Sequence, residues 1–376
     1  MTSTGKLLAE LVALPSVNPA FLPPRHPCAG EGRVAEFLAS VAARVGLDIE
    51  FQKVLPTRPN LLVRLAPRSK ARQTILLAPH LDTINAASEE QFVPRVKNGR
   101  LHGRGACDTK GSVAAMLASL CEVAKSRRRP SETEIVFAGL IDEENVQIGS
   151  RALAASGFKA DLAIVGEPTR LQVVTAHKGN LSLQLETRGK AAHGSTPRLG
   201  RNAVHEMSRI VDLLETGYAA QLRKRRHLLL GHATVSVGTI AGGTQANIVP
   251  DRCVITVDRR TLPGETEAGV RREILALLNR KNLNARITNA KPALALPLET
   301  NSKLPLVRQF LRSAGQTRSV GVHYFCDASV LARGGIPSVV FGPGDIAQAH
   351  TADEWISLAS LERAKDLLVQ FLCSLP

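Results

Sequence analysis

The sequence predicts an α/β fold: a mainly parallel sheet with helices on both faces, interrupted by a smaller inserted α+β domain. Three observations carry this expectation. Short, apolar, β-rich runs alternate with helical patterns through the first half of the chain; a half-exposed, alternating pattern takes over near Thr175; and the buried-strand style returns before the end. At 376 residues the chain exceeds what one compact core usually holds, so two domains are expected.

The N-terminal stretch MTSTGKLLAELVALPSVNPA reads as an amphipathic helix and lacks the uninterrupted apolar core and cleavage signal of a secretory peptide. NLLVRL (60–65), TILLAPH (74–80), EIVFAGL (134–140) and DLAIVGE (161–167) are short and apolar, as strands buried on both sides are. Between the second and third lies SVAAMLASLCEVAK, a helix opened by Gly111, with Gly103 and Gly105 permitting a tight backbone before it. After Thr175, AHKGNLSLQLETRGK alternates like a half-exposed strand. A helix follows over about 201–216, then the strands ATVSVGTIAGG and DRCVITVDRR, then a helix over about 266–279. These elements form the insert, 176–288, and divide the larger domain into 1–175 and 289–376. The second part resumes with the buried run SVVFGPG and ends in the helix LERAKDLLVQFL.

Composition excludes several classes. With 44% hydrophobic residues and no apolar run long enough to span a bilayer, the chain reads as soluble, without a membrane partner, and a cytoplasmic location is expected. The six cysteines (Cys28, Cys107, Cys121, Cys253, Cys326, Cys373) form no CxxC pair and are expected to be reduced. The net charge of +15 would suit nucleic acid, but the basic residues are scattered, with Arg223-Lys224-Arg225-Arg226 the densest run and Arg127-Arg128-Arg129 next. Only 3% of the chain is aromatic, whereas single-strand binding wants stacking platforms interleaved with charge. The basicity is read as solvated surface that can attract anionic substrates, not as a nucleic-acid footprint.

Five stretches carry the chemistry, each placing a carboxylate or imidazole at what reads as a strand end. They are PHLDT with His80 and Asp82, GRGACDTKG with Asp108, IDEEN with Glu143 and Glu144, GEPT with Glu167, and GPGDIAQAHTADEW with His350. Imidazole nitrogen and carboxylate oxygen both suit zinc-class ions, and a shared carboxylate can bridge a pair of them. Cys107, beside Asp108, is a soft donor by chemistry.

The order of these stretches, their glycine setting and the consecutive Glu pair resemble the dinuclear zinc family that holds acetylornithine deacetylase, succinyl-diaminopimelate desuccinylase, aminoacylase and glutamate carboxypeptidase. The resemblance runs from about Leu7 to about Leu372. It implies two divalent ions, Zn2+ or Co2+: His80 on one, His350 on the other and Asp108 bridging, with Glu144 completing the His350 site and Glu167 the His80 site. Asp82 would accept the free ring N–H of His80, Glu143 would be the general base, and the Asp108–Thr109 peptide would be cis. The position of Cys107 varies in that family, so the resemblance leaves it out of the ligand set.

In the insert, GKAAHGSTPRLGRNA resembles the family's lid and dimerisation motif, making His193 the group that polarises the scissile carbonyl, in its own chain or across a homodimer. Asn247, Arg260, Gly342 and Gly344 match substrate-binding positions. The other histidines, including His177, are read as structural. GPGDIAQAHTADEW and TRPNLLVRL look most like the deacetylase branch, but Cys326-Asp327-Ala328-Ser329 stands where that branch has Thr-Glu-Ala. The implied activity is hydrolysis of a small N-acyl amino acid. Desuccinylation, dipeptide exopeptidase action and a catalytically silent binding role are the competing readings.

Overall fold

The structure is a computed structural model that describes residues 1–291 and 293–376. The chain divides into two compact units: Met1–Thr175 with Thr300–Val320 and Cys326–Pro376, and Ala176–Glu299 with Gly321–Phe325. The smaller unit thus runs past the expected boundary at 288. The reason is pairing: Arg286–Asn289 is a strand against Gly179–Arg188, and Asn180 N donates to the carbonyl of Ala295 at 2.7 Å.

The sheet of the larger unit is mixed, which corrects the expectation of a mainly parallel one. Its centre is parallel: Thr133–Gly139, Gln73–Pro79, Leu162–Gly166 and Ser338–Val340 lie side by side in that order. Its flank is not. Asp48–Leu55 and Arg58–Leu65 form an antiparallel hairpin, and Arg58–Leu65 pairs antiparallel with Thr133–Gly139. The run 60–65 is apolar because it is covered on both faces, and coverage does not encode direction; the two-residue connection before it does.

Helices supply that cover. Ser3–Val12 buries Leu7, Leu8, Leu11 and Val12, and its start is capped by the Thr2 hydroxyl accepting from Gly5 N. Lys110–Lys125 buries nearly its whole circumference and packs against Leu358–Leu372, whose inner face carries Leu361, Ala364, Leu367, Leu368 and Phe371. Phe310, Phe341 and Phe371 meet edge to face, with centroids 4.9–5.1 Å apart. At roughly 25 cal/mol per Å2 of apolar area removed from water, faces of this kind are the main stabilising term.

The smaller unit is a four-stranded antiparallel sheet, ordered Thr234–Gly242, Arg252–Thr261, Gly179–Arg188, Arg286–Asn289. Gly179–Arg188 alternates buried and half-buried residues as expected. The helix expected over about 201–216 is longer: Ala203–Leu213 passes through a π turn, Leu214–Tyr218, into Ala219–Arg223. Among the described residues no helix is long and apolar enough to cross a membrane. All six cysteines are free. Arg225, from the densest basic run, is paired with Glu265 at 2.9 Å and Glu273 at 2.8 Å.

Candidate metal centre

The parallel strands fix where the acids and imidazoles stand. His80 follows Pro79, Glu143 lies four residues past Gly139, and Glu167 follows Gly166, so all three leave the carboxyl ends of adjacent strands, where open α/β sheets place their sites. Asp108 precedes the helix Lys110–Lys125, and His350 stands on a loop with a left-handed backbone, φ 63°.

Asp108 is central. Its Oδ1 lies 3.2 Å from His80 Nε2 and its Oδ2 lies 3.3 Å from His350 Nε2, so each oxygen faces a different imidazole. His350 Nε2 is also 3.2 Å from Glu144, and His80 Nε2 is 3.8 Å from Glu167. Two overlapping triads, His80–Asp108–Glu144 and His80–Glu143–Glu167, offer donor atoms within 4.8 Å of one another. The second triad contains Glu143 itself.

The donor set fits a pair of divalent ions. Asp108, Glu143, Glu144 and Glu167 crowd together with two imidazoles, and burial pushes Glu143, Glu167 and Glu144 up, with neighbouring carboxylates adding to the effect. Burial alone would lower His80, yet Asp108, Asp82, Glu167 and Glu143 raise it well above the usual imidazole range. Hydrogen bonds with Asp108 and Glu144 push His350 up to about 10. For Asp108, burial opposes ionisation, but His350 and His80 hold the carboxyl well below its ordinary value. Such a concentration of buried negative charge is what a pair of dications would balance.

Asp82 differs in detail from the expectation. His80 Nδ1 lies 2.9 Å from the backbone carbonyl of Asp82 and 3.5 Å from its carboxylate. With Nε2 turned to the site, Nδ1–H donates to that carbonyl and fixes the tautomer. The carboxylate instead accepts the N–H groups of Glu143 at 3.0 Å and Glu144 at 3.1 Å.

Glu354 and Lys110 escaped the sequence reading. Glu354, 1% exposed, accepts from Arg104 Nη1 (2.7 Å), Gly105 N (2.9 Å), Cys107 N (2.8 Å) and Asp108 N (2.9 Å), and so holds the Asp108 loop. That loop contains the cis peptide Asp108–Thr109 and a left-handed Gly105, φ 79°. Glu354 lies four residues after His350 in the same GPGDIAQAHTADEW stretch, which is the one signal that pointed there. Lys110 is buried with Nζ 2.9 Å from Leu11 O and 2.7 Å from Leu14 O, and burial pulls it down to about 7. Asp327 accepts from Ser150 Oγ at 2.6 Å, and burial pushes it up to about 7. Burial pushes the Cys107 thiol up as well, with Glu354 and Asp108 adding, and its Sγ donates to Asp345 O.

Both glycines expected to bind substrate also meet local backbone demands. Gly342 N donates to Thr169 Oγ1 at 3.1 Å, and a Cβ there would meet Ser112 Oγ at 2.3 Å and Glu167 O at 2.5 Å. It is a close-approach glycine that lets the chain pass Glu167. Gly344 has φ 85°, with Cys107 Sγ 2.5 Å from the position a Cβ would take.

His193, Asn247 and Arg260 belong to the smaller unit. His193 is exposed, 2.7 Å from Ser195 Oγ through Nδ1, and forms a bridge with Ile248; Gly194 N donates to Asn247 O at 2.7 Å. Arg260 pairs with Asp258 at 2.8 Å, two residues earlier on the same face of its strand.

Overlapping metal-ligand triads on the carboxyl edge of an α/β sheet, with titratable acids among them, define a metal-dependent hydrolase with a dinuclear site. The chain belongs to peptidase family M20/M25/M40, whose model matches residues 76–374. It is 29% identical to an acetylornithine deacetylase from Proteus mirabilis, with 98% of this chain and 95% of that protein covered. It is 30% identical to one from Myxococcus xanthus, covering 86% and 87%. The fold is shared with an M20 family metallo-carboxypeptidase from Sulfolobus solfataricus (TM-score 0.77, 20% identity, 99% of both chains). It is also shared with aminopeptidase PepT from Bacillus cereus (TM-score 0.80, 22% identity, 98% and 97%).

Proposed function

We propose that this chain hydrolyses the amide bond of a small N-acyl amino acid, with N-acetylornithine-type deacetylation as the leading reading. The observation that carries it is Asp108: one carboxylate with an imidazole on each side and a glutamate completing each flank. In this reading His80 and Glu167 would hold one ion, His350 and Glu144 the other, and Asp108 would contribute to both. Bound there, the ions would supply Lewis-acid polarisation.

The chain's own residues do the rest. Glu143, not needed as a ligand in this scheme, takes a proton from the attacking water and returns it to the leaving amine. Asp82 fixes the backbone of Glu143 and Glu144 through two N–H bonds and orients His80 through its carbonyl. His193 polarises the scissile carbonyl, from its own chain or from a second subunit of a homodimer. Asn247 and Arg260 capture the α-carboxylate, a task suited to a planar guanidinium. The preference for an acetyl group rests on relatives named acetylornithine deacetylase at about 30% identity.

The test is a turnover screen of N-acetyl-L-amino acids, their α-amides, N-succinyl-diaminopimelate and dipeptides on zinc- and cobalt-loaded protein. The reading expects N-acetyl acids to be cleaved fastest and the α-amides poorly. A clear preference for the succinyl compound moves the chain to desuccinylation, and equal rates on acid and amide refute the carboxylate clamp.

A further inference from the structure

Three segments distant in sequence converge behind the Asp142-Glu143-Glu144 turn. Asn18 Nδ2 donates to Asp82 Oδ2 at 2.8 Å and to Asp142 Oδ1 at 2.9 Å. Arg58 makes two parallel bonds to Glu31, from Nε and Nη2, each 2.7 Å, and Nη2 reaches Asp142 Oδ1 at 3.1 Å. Glu31 Oε1 accepts the Asp142 N–H at 3.1 Å, and Asp82 accepts the next two N–H groups. Every backbone N–H from 142 to 144 therefore ends on a buried carboxylate. Asn18 and Glu31 are 0% exposed, Asp82 1% and Asp142 2%.

The network is costly unless it has a purpose. Three buried acids stand together, and Arg58 supplies the cation that meets two of them; burial lowers the guanidinium's affinity for its proton, but Glu31 and Asp142 more than restore it. Asp142 is left-handed, φ 68°, a conformation an L residue adopts at a cost and keeps only when its surroundings hold it. What the network does fix is where the Glu143 and Glu144 side chains start.

We propose that Arg58, locked by Glu31 and assisted by Asn18, is a positioning residue for the Glu143–Glu144 turn. It sets the placement of both carboxylates without touching ion or substrate. The inference rests on the roles given to Glu143 and Glu144 above. The planar fork is essential, because two parallel bonds to Glu31 and a third to Asp142 need several N–H groups in one plane, which an ammonium cannot offer. Displacing a reacting group by about 1 Å can cost about 10²-fold in rate.

The experiment compares wild type, Arg58→Lys and the double variant Glu31→Gln/Arg58→Met, which removes the ion pair together and avoids stranding the Glu31 charge. Three readouts are taken: kcat and KM on the best N-acyl substrate, the visible spectrum of cobalt-loaded protein, and amide hydrogen exchange. The expected result for both variants is kcat down about 10²-fold with KM little changed, an altered cobalt spectrum, and faster exchange confined to 142–145. Adding guanidinium ion to Arg58→Ala should recover part of the lost rate. Unchanged kcat and spectrum in folded variants overturns the proposal, and so does exchange accelerated equally across Gln73–Pro79 and Leu162–Gly166, which would mean a merely structural role. Should wild type cleave no N-acyl amino acid, the function reading fails while spectrum and exchange still decide this one.

Discussion

Glu354→Gln probes the support of the bridging aspartate with almost no change in shape. In the native chain Oε2 accepts from Arg104 Nη1 and Gly105 N, and Oε1 accepts from Cys107 N and Asp108 N. Whichever way the new amide turns, its NH2 group faces two N–H donors, so two of the four bonds are lost and two buried donors are stranded. Hydrogen bonds to a charged group contribute about 1.5–3 kcal/mol each, so a loss of about 3 kcal/mol or more is expected. For a unit of this size 1 kcal/mol moves Tm by about 2–4 °C, which gives a drop of about 6–12 °C. Because the stranded donors flank Asp108, ion affinity should fall by about 10–100-fold, as supporting partners of ligands typically cost when removed. Calorimetry of metal-free protein and equilibrium dialysis against zinc read the two effects separately. A variant with wild-type Tm and wild-type zinc affinity would refute the argument that Glu354 holds the loop.

The remaining predictions address proton transfer, the smaller unit and pH. Glu143→Gln should lower turnover by about 10²–10⁴-fold with two ions still bound; loss of one ion would instead make Glu143 a ligand, as its place in the second triad allows. His193→Ala should keep fold and ions yet slow the chemical step, and mixing it with Glu143→Gln protein should recover activity in hybrid dimers if His193 acts across subunits. His177 is fully buried, with Nδ1–H donating to the Lys178 carbonyl at 2.9 Å and Nε2 without a partner among the described residues, and burial pulls it down to about 4. Between the ordinary imidazole value near 6.5 and that value, the unfolded chain binds a proton the folded chain refuses. Stability should therefore fall by up to roughly 3 kcal/mol as pH drops through that window, and His177→Gln should flatten this limb in denaturant titrations.

What could be read from the sequence was what local pattern encodes. His80, Glu143 and Glu167 each follow an apolar run, which placed them at strand ends, while their roles came from the family resemblance; the structure brings them together with Asp108, Glu144 and His350. Strand direction was not legible, since Arg58–Leu65 is buried like its parallel neighbours but enters through a hairpin. Nor was the support network: Asn18 lies 64 residues from Asp82 and 124 from Asp142, and nothing in SVNP or GEGR announces that separation will vanish. The partner of the Gly342 N–H was hidden for a similar reason, because Thr169 is 173 residues away.

The most direct test of the central claim is a metal titration of chelator-stripped protein, with bound ion and amide hydrolysis measured on the same samples. Zinc or cobalt should bind to a limit of two ions per chain, hydrolysis should rise with occupancy from a negligible start, and Asp108→Ala should abolish both together. Turnover that persists in stripped protein, or an Asp108→Ala chain that still binds two ions, would contradict it.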